Sequence, residues 1–161
     1  MKVSEHIAYG GAASVALAPI FGFQTLYFFF GSLFIDLDHY VDFLYYGKFK
    51  NWSIPKMFKF HGVFALSSPT EPILALEAFH TVEFFLAWLT TAFIFQSQEL
   101  YLVFGGMVFH LFLDLLRLYQ KRKIHFRALS FIEYWVRSKR MVAYKGFHPE
   151  KIFWQAYETL I

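Results

Sequence analysis

The longest feature of the chain is an absence of charge. From Ile7 to Ile35 no Asp, Glu, Lys or Arg occurs in 29 consecutive positions. Apolar runs recur further on, and their limits predict four helical segments. The first covers residues 4–17 and is rich in small residues (Gly10, Gly11, Ala12, Ala13, Ser14), which suit close helix contact in lipid. Pro19 and Gly22 interrupt it. The second covers residues 23–46. The third covers 71–95, with Pro72 suited to a first helical turn. The fourth covers 99–119. A spanning helix needs about 20 residues, so segments two to four qualify by length, whereas the first rises only about 22 Å.

Composition supports a membrane setting. Of the 161 residues 57% are hydrophobic, 23% aromatic and 17% charged, with 23 Phe and no Cys. Soluble domains carry about 25% charged residues. These values exclude a disordered chain, a disulfide scaffold and a thiolate metal site. The N-terminus lacks a small-residue cleavage site after a short apolar core, so it reads as mature structure rather than a signal peptide.

The net charge of +3 gains meaning from its placement. Lys2 precedes segment one; Lys48, Lys50, Lys56 and Lys59 lie between segments two and three; the remaining Lys and Arg run from Arg117 to Lys151. Two helical hairpins put every one of them on one side, which the positive-inside rule makes cytoplasmic. The expected fold is therefore all-α: an integral membrane four-helix bundle of two hairpins, residues 1–119, with both termini cytoplasmic in the inner membrane. Residues 120–161 form a basic aromatic tail of the same domain, read as an interfacial segment on anionic lipid rather than a nucleic-acid binder. Pro149 is expected to open a terminal helix.

Ionisable residues inside apolar helices are costly and mark function by default. Segment one begins with His6. Segment two ends in Asp36-Leu37-Asp38-His39-Tyr40-Val41-Asp42, segment three carries His80-Thr81-Val82-Glu83, and segment four carries His110 and Asp114. The spacings Asp36/His39, Asp38/Asp42, His80/Glu83 and His110/Asp114 each place two side chains on one helical face. Helical bundles build carboxylate-histidine metal sites in this way. The alternative is a set of ion pairs, Asp36 or Asp38 with His80 and Glu83 with His110, but no Lys or Arg lies within the segments to balance the carboxylates. Predicted metal ligands are His6, Asp36, Asp38, His39, His80, Glu83, His110 and Asp114. Nitrogen and oxygen donors without sulfur suit zinc, manganese or iron, in one to three ions. His61, His125 and His148 are assigned to loops or the tail, Glu77 to a supporting position one turn from His80, and Ser14, Ser32 and Gly105-Gly106 to helix contacts.

The order His6, Asp36-Leu37-Asp38-His39, a mid-chain His, then His110-x3-Asp114 resembles the membrane-bound metal-dependent hydrolases, also called LexA-binding, inner membrane-associated hydrolases. The resemblance covers about residues 4–119; the tail contributes nothing. Members of that family usually carry a His-Arg-x3-His-Ser stretch after the Asp motif, where this chain has only His61-Gly62 and then His80-Thr81-Val82-Glu83. That family is thought to be distantly similar to zinc-dependent phospholipase C, so the resemblance implies phosphoester hydrolysis.

The expected activity is metal-dependent hydrolysis of a phosphoester in a lipid or lipid-linked substrate. A metal lowers the pKa of bound water toward about 7, and two ions about 3.5–4 Å apart would clamp the attacking and leaving oxygens. Asp114 or Asp38 would bridge, and Asp42 or Glu83 would act as general base. Basic residues from Lys121 to Arg127 would attract an anionic headgroup. Rival readings are a divalent-cation transporter or channel, which needs a polar path through the apolar outer halves, and a haem cytochrome with His80 and His110 as axial ligands. No nucleic-acid partner is expected.

Overall fold

The computed structural model describes residues 3–66, 68, 70, 72–146 and 148–159. Lys2 and Glu71, which the sequence reading used, lie outside the described residues. The described structure is 79% helix and 3% strand, as the all-α expectation requires. It forms two compact units: residues 1–36 with 82–121, and residues 37–81 with 122–161. Lys2, Arg117 and Lys121 are the only three of the 15 Lys and Arg in the first. The first is called the apolar unit and the second the basic unit.

In the apolar unit, α1 (Val3–Phe21) runs through Pro19 and stops where Gly22 takes φ +57°. The turn therefore comes at the glycine, not at the proline. A short 3-10 turn leads into α2 (Thr25–Phe34), where Thr25 Oγ1 donates to the Gly22 carbonyl. Gly10 lies beside Ser32 and Phe29, so α1 and α2 form an antiparallel hairpin.

The second hairpin joins α5 (Val82–Phe95) to α6 (Gln98–Gln120). Gln96, at φ +48°, makes the turn, and Ser97 caps α6 by accepting from Leu100 N. Trp88 Nε1 donates to the Leu100 carbonyl at 3.1 Å. Helices α2 and α6 meet backbone to backbone: a Cβ at Gly31 would run into the Val103 carbonyl, and one at Gly106 into that of Phe28. Phe28 and Ser32 lie beside Gly106, and Asp36 beside His110. The two helices thus run parallel, and both hairpin tips are at one end of the unit. The tips expose apolar side chains: Phe23 is 92% exposed and Phe95 71%.

The basic unit contains α3 (Leu37–Tyr46), α4 (Ile54–Leu66), β1 (Ala75–Leu76), β2 (Arg127–Ala128), α7 (Phe131–Lys145) and α8 (Pro149–Glu158). Helices α3, α4 and α8 enclose an aromatic core of Phe43, Phe60, Phe153 and Tyr157. Strands β1 and β2 pair in parallel, Ala75 with Arg127 and Leu76 with Ala128. Ser130 caps α7 by accepting from Ile132 N and Glu133 N, and Gly146 ends it in the left-handed region. The terminal helix opens at Pro149, as expected.

Three expectations about the elements are corrected. Segment two is not continuous, because residues 35–36 form a turn between α2 and α3. Segment three does not start as a helix at Pro72: the chain is extended through β1, makes a 3-10 turn at Ala78–His80, and becomes helical at Val82. Its helix is 14 residues long, shorter than a span. Residues 54–66, assigned to a loop, form α4. Two stretches, Val3–Tyr46 and Gln98–Gln120, are long and apolar enough to cross a membrane by length and composition.

Candidate metal-binding groups

In the apolar unit the geometry starts from His110, which is fully buried on α6. Its Nδ1 lies 2.6 Å from the Ser32 carbonyl oxygen. A nitrogen beside a carbonyl oxygen must donate, so Nδ1 carries a proton, and Nε2 faces Asp36 Oδ1 at 3.3 Å and Asp114 Oδ2 at 3.8 Å. A lone pair aimed at two carboxylates is repulsive. A proton on Nε2, or a cation among these atoms, removes the repulsion.

His6 adds the deciding constraint. Its ring stacks on that of His110, with centroids 3.8 Å apart and planes 9° from parallel, and its Nε2 lies 3.2 Å from Asp114 Oδ1. Two imidazolium rings stacked at that distance would repel each other. Two neutral rings sharing a carboxylate with a cation would not. The donor atoms of His6, His110 and Asp114 lie within 4.8 Å of one another, all buried. The residues therefore fit a metal ion: two imidazoles and a carboxylate, with Asp36 adjacent. Donation from His110 Nδ1 to a backbone carbonyl is the usual way a ligating histidine is oriented.

The local reasons are plain. His110 and Asp114 are one turn apart on an unbroken helix. The α1–α2 turn brings His6 and Asp36 back to the same level, and the glycine contact between α2 and α6 sets Asp36 and the Ser32 carbonyl against His110. Ser32 was expected only as a helix contact, and its carbonyl has this further role. Glu83 sits in the first turn of α5.

In the basic unit the centre is His80, also fully buried. Its Nδ1 lies 2.9 Å from Asp38 Oδ2, which also accepts from Phe79 N at 3.0 Å. Asp38 therefore orients His80. Glu77 Oε2 lies 3.6 Å from His80 Nδ1, and Glu77 Oε1 3.9 Å from His39 Nδ1. Glu77 is also ion-paired with the buried Arg127. The β1–β2 bridge places Arg127 beside the residue that follows β1. Sequence reasoning placed Arg127 among headgroup-attracting residues and found no cation to balance the carboxylates; the balancing cation comes from 50 residues downstream in the tail. Asp42, one turn after Asp38 on α3, lies within electrostatic reach of Asp38, Glu77 and His39.

Two spacing arguments fail. His80 ends a 3-10 turn and Thr81 is extended (φ −89°, ψ 150°), so His80 and Glu83 share no helical face. Asp36 is in the turn before α3, so it shares no face with His39. His61 does not lie in a loop. It is on α4, with its ring 4.6 Å from that of His39 and its Nε2 donating to the His39 carbonyl at 2.7 Å. Burial, and then the charge of His39, push the His61 imidazole down to about 4, so it is neutral at physiological pH.

No family model, curated protein or solved structure matches the chain.

Proposed function

We propose that the chain is a membrane-embedded, metal-dependent hydrolase, and that His6, His110 and Asp114, with Asp36 adjacent, hold a divalent ion. The single observation that carries this reading is the parallel stack of two buried imidazoles, both directed at one carboxylate. Protons alone stabilise that arrangement poorly, and a cation stabilises it well. Zinc is the first candidate, with manganese or iron also compatible with this donor set.

The membrane setting is supported by the apolar unit's surface. Val15, Ile20, Phe23, Phe93, Ile94 and Phe95 are each at least 68% exposed, and water-facing surfaces rarely carry contiguous apolar patches of that kind. In this reading the two hairpins form a four-helix bundle with its tips toward the outer leaflet. The histidine and aspartate end is toward the cytoplasm, where the positive-inside rule puts the Lys and Arg.

A bound ion supplies Lewis acidity and lowers the pKa of water toward about 7. The chain's residues supply orientation and charge. The Ser32 carbonyl fixes the His110 ring, and Asp36 is the carboxylate best placed to hold or take a proton beside it. Glu83, in the same unit as the proposed ion, is the candidate general base. A phosphoester of a lipid or lipid-linked molecule is the substrate class that suits a membrane-level site with basic residues elsewhere in the chain. Haem is disfavoured because iron at His110 Nε2 would meet Asp36 and Asp114 oxygens within 4 Å.

Elemental analysis of detergent-purified protein, paired with a phosphodiester hydrolysis assay, tests the proposal. At least one equivalent of a first-row transition metal and metal-dependent turnover are expected. A metal-free preparation that takes up none on titration overturns it.

A further inference from the structure

The metal reading leaves one surface of the basic unit unused: the loop between α3 and α4 with the start of α4. From residue 43 to residue 70 the chain has four Lys and no Asp or Glu. Within it Phe49, Trp52, Ile54 and Phe58 are exposed by 57%, 61%, 56% and 50%. Lys48 is engaged over the Trp154 ring, at 6.0 Å from its centroid. Lys50 and Lys59 are exposed.

The display is built rather than loose. Lys48 and Phe49 both take positive φ, 48° and 57°, which non-glycine residues adopt at a cost. Local bonds hold them there: Gly47 N, Lys48 N and Phe49 N donate to the Phe43, Tyr45 and Leu44 carbonyls. Trp52 is fixed from two sides, with its Nε1 donating to the Phe49 carbonyl and its own carbonyl accepting from Tyr40 Oη. The fold thus spends strain to hold a phenyl and an indole outward in a stretch bearing only positive charge.

We propose that this loop and the start of α4 form a membrane-insertion surface whose occupant is the interface of an anionic phospholipid leaflet. Exposed aromatics suit the headgroup level, and acid-free lysines match the leaflet's negative surface potential. A protein partner would need acidic groups to match the lysines.

The chain has no cysteine, so Phe49→Cys gives a single attachment point for a nitroxide. The full chain is placed in lipid nanodiscs of phosphatidylcholine alone or mixed with phosphatidylglycerol. Exposure of the label to oxygen, which partitions into lipid, is compared with exposure to a water-soluble chelate. In the anionic discs the oxygen-to-chelate ratio should be roughly twice that in neutral discs, and Lys50→Glu with Lys59→Glu should abolish the difference. Free nitroxide in the aqueous phase serves as the water-exposed reference. A Phe49 label with the reference ratio in both discs, or a ratio indifferent to lipid charge, overturns the proposal. Metal content measured on the same samples keeps this outcome separate from the fate of the metal site.

Discussion

His110 and His80 are both fully buried, and each has a carboxylate within 3.3 Å, yet their surroundings settle charge in different ways. His80 belongs to a group that contains its own cation: Arg127 is ion-paired with Glu77, and Asp38 accepts from His80 Nδ1 and the Phe79 N–H. His110 belongs to a unit with only three Lys and Arg, of which Arg117 is 3.7 Å from Glu5. Its Nδ1 faces a backbone carbonyl rather than a carboxylate, and its Nε2 faces Asp36 and Asp114. The same residue types therefore meet different partners within each unit. Where an arginine is supplied, Glu77 has a fixed cation beside it. Where none is, the balance is left to protons or to a metal.

The sharpest way to break this contrast is to remove the arginine. Arg127→Met leaves the half-buried Glu77 without its arginine partner. Removing one partner of a buried pair costs about 3–5 kcal/mol. The thermal midpoint in detergent should fall accordingly, while the metal content stays at its wild-type value. If Arg127→Met instead raised metal content, the basic unit's group would be a metal site from which arginine excludes the ion. If the midpoint did not move, the ion pair would carry no stability and the contrast would lose one side.

The next effect belongs to the apolar unit. Asp114→Asn keeps the side-chain volume and one acceptor oxygen but removes the charge shared by His6 and His110. Changes beside metal ligands already cost about 10–100-fold in affinity, so a ligand change should cost about 100-fold or more. Asp38→Asn, which alters the orienting partner of His80, should leave the metal content unchanged. Equilibrium dialysis of both variants against zinc checks the pair. Retention of metal by Asp114→Asn and its loss by Asp38→Asn would transfer the site to the basic unit.

What could be read from the sequence followed the continuity of the helices. His110 and Asp114 were legible because α6 is unbroken from Gln98 to Gln120, so a spacing of four translates directly into one face. The return of His6 and Asp36 was legible because Gly22 makes a turn midway between them. Asp36 and His39 misled because the break at residues 35–36 carries neither Gly nor Pro, and nothing local announces it. His80 and Glu83 misled because apolar residues after Pro72 imitate a helix start, whereas tertiary pairing with β2 holds the segment extended. Arg127 was not assigned to the group because a two-residue strand has no periodicity to read. Gly31, like Gly106, allows a backbone contact that only the facing helix reveals.

The smallest predicted effect concerns His61. His61 lies in the chain between the Asp36–Asp42 stretch and His80. In the structure His61 Nε2 donates to the His39 carbonyl, and its ring is held neutral by burial and by His39. A histidine used in this way is a packing and hydrogen-bonding group. His61→Asn shortens the side chain, so the bond to the carbonyl is lost, at a cost of about 0.5–1.5 kcal/mol. The His39 carbonyl already lies within α3, so its loss of a second donor is tolerable. The variant should keep full metal content and most of its thermal stability, in contrast to Asp114→Asn. Elemental analysis of the two variants side by side decides the matter. An empty site in His61→Asn would make His61 a ligand and would move the metal from the stacked imidazoles of the apolar unit to the histidines around His39.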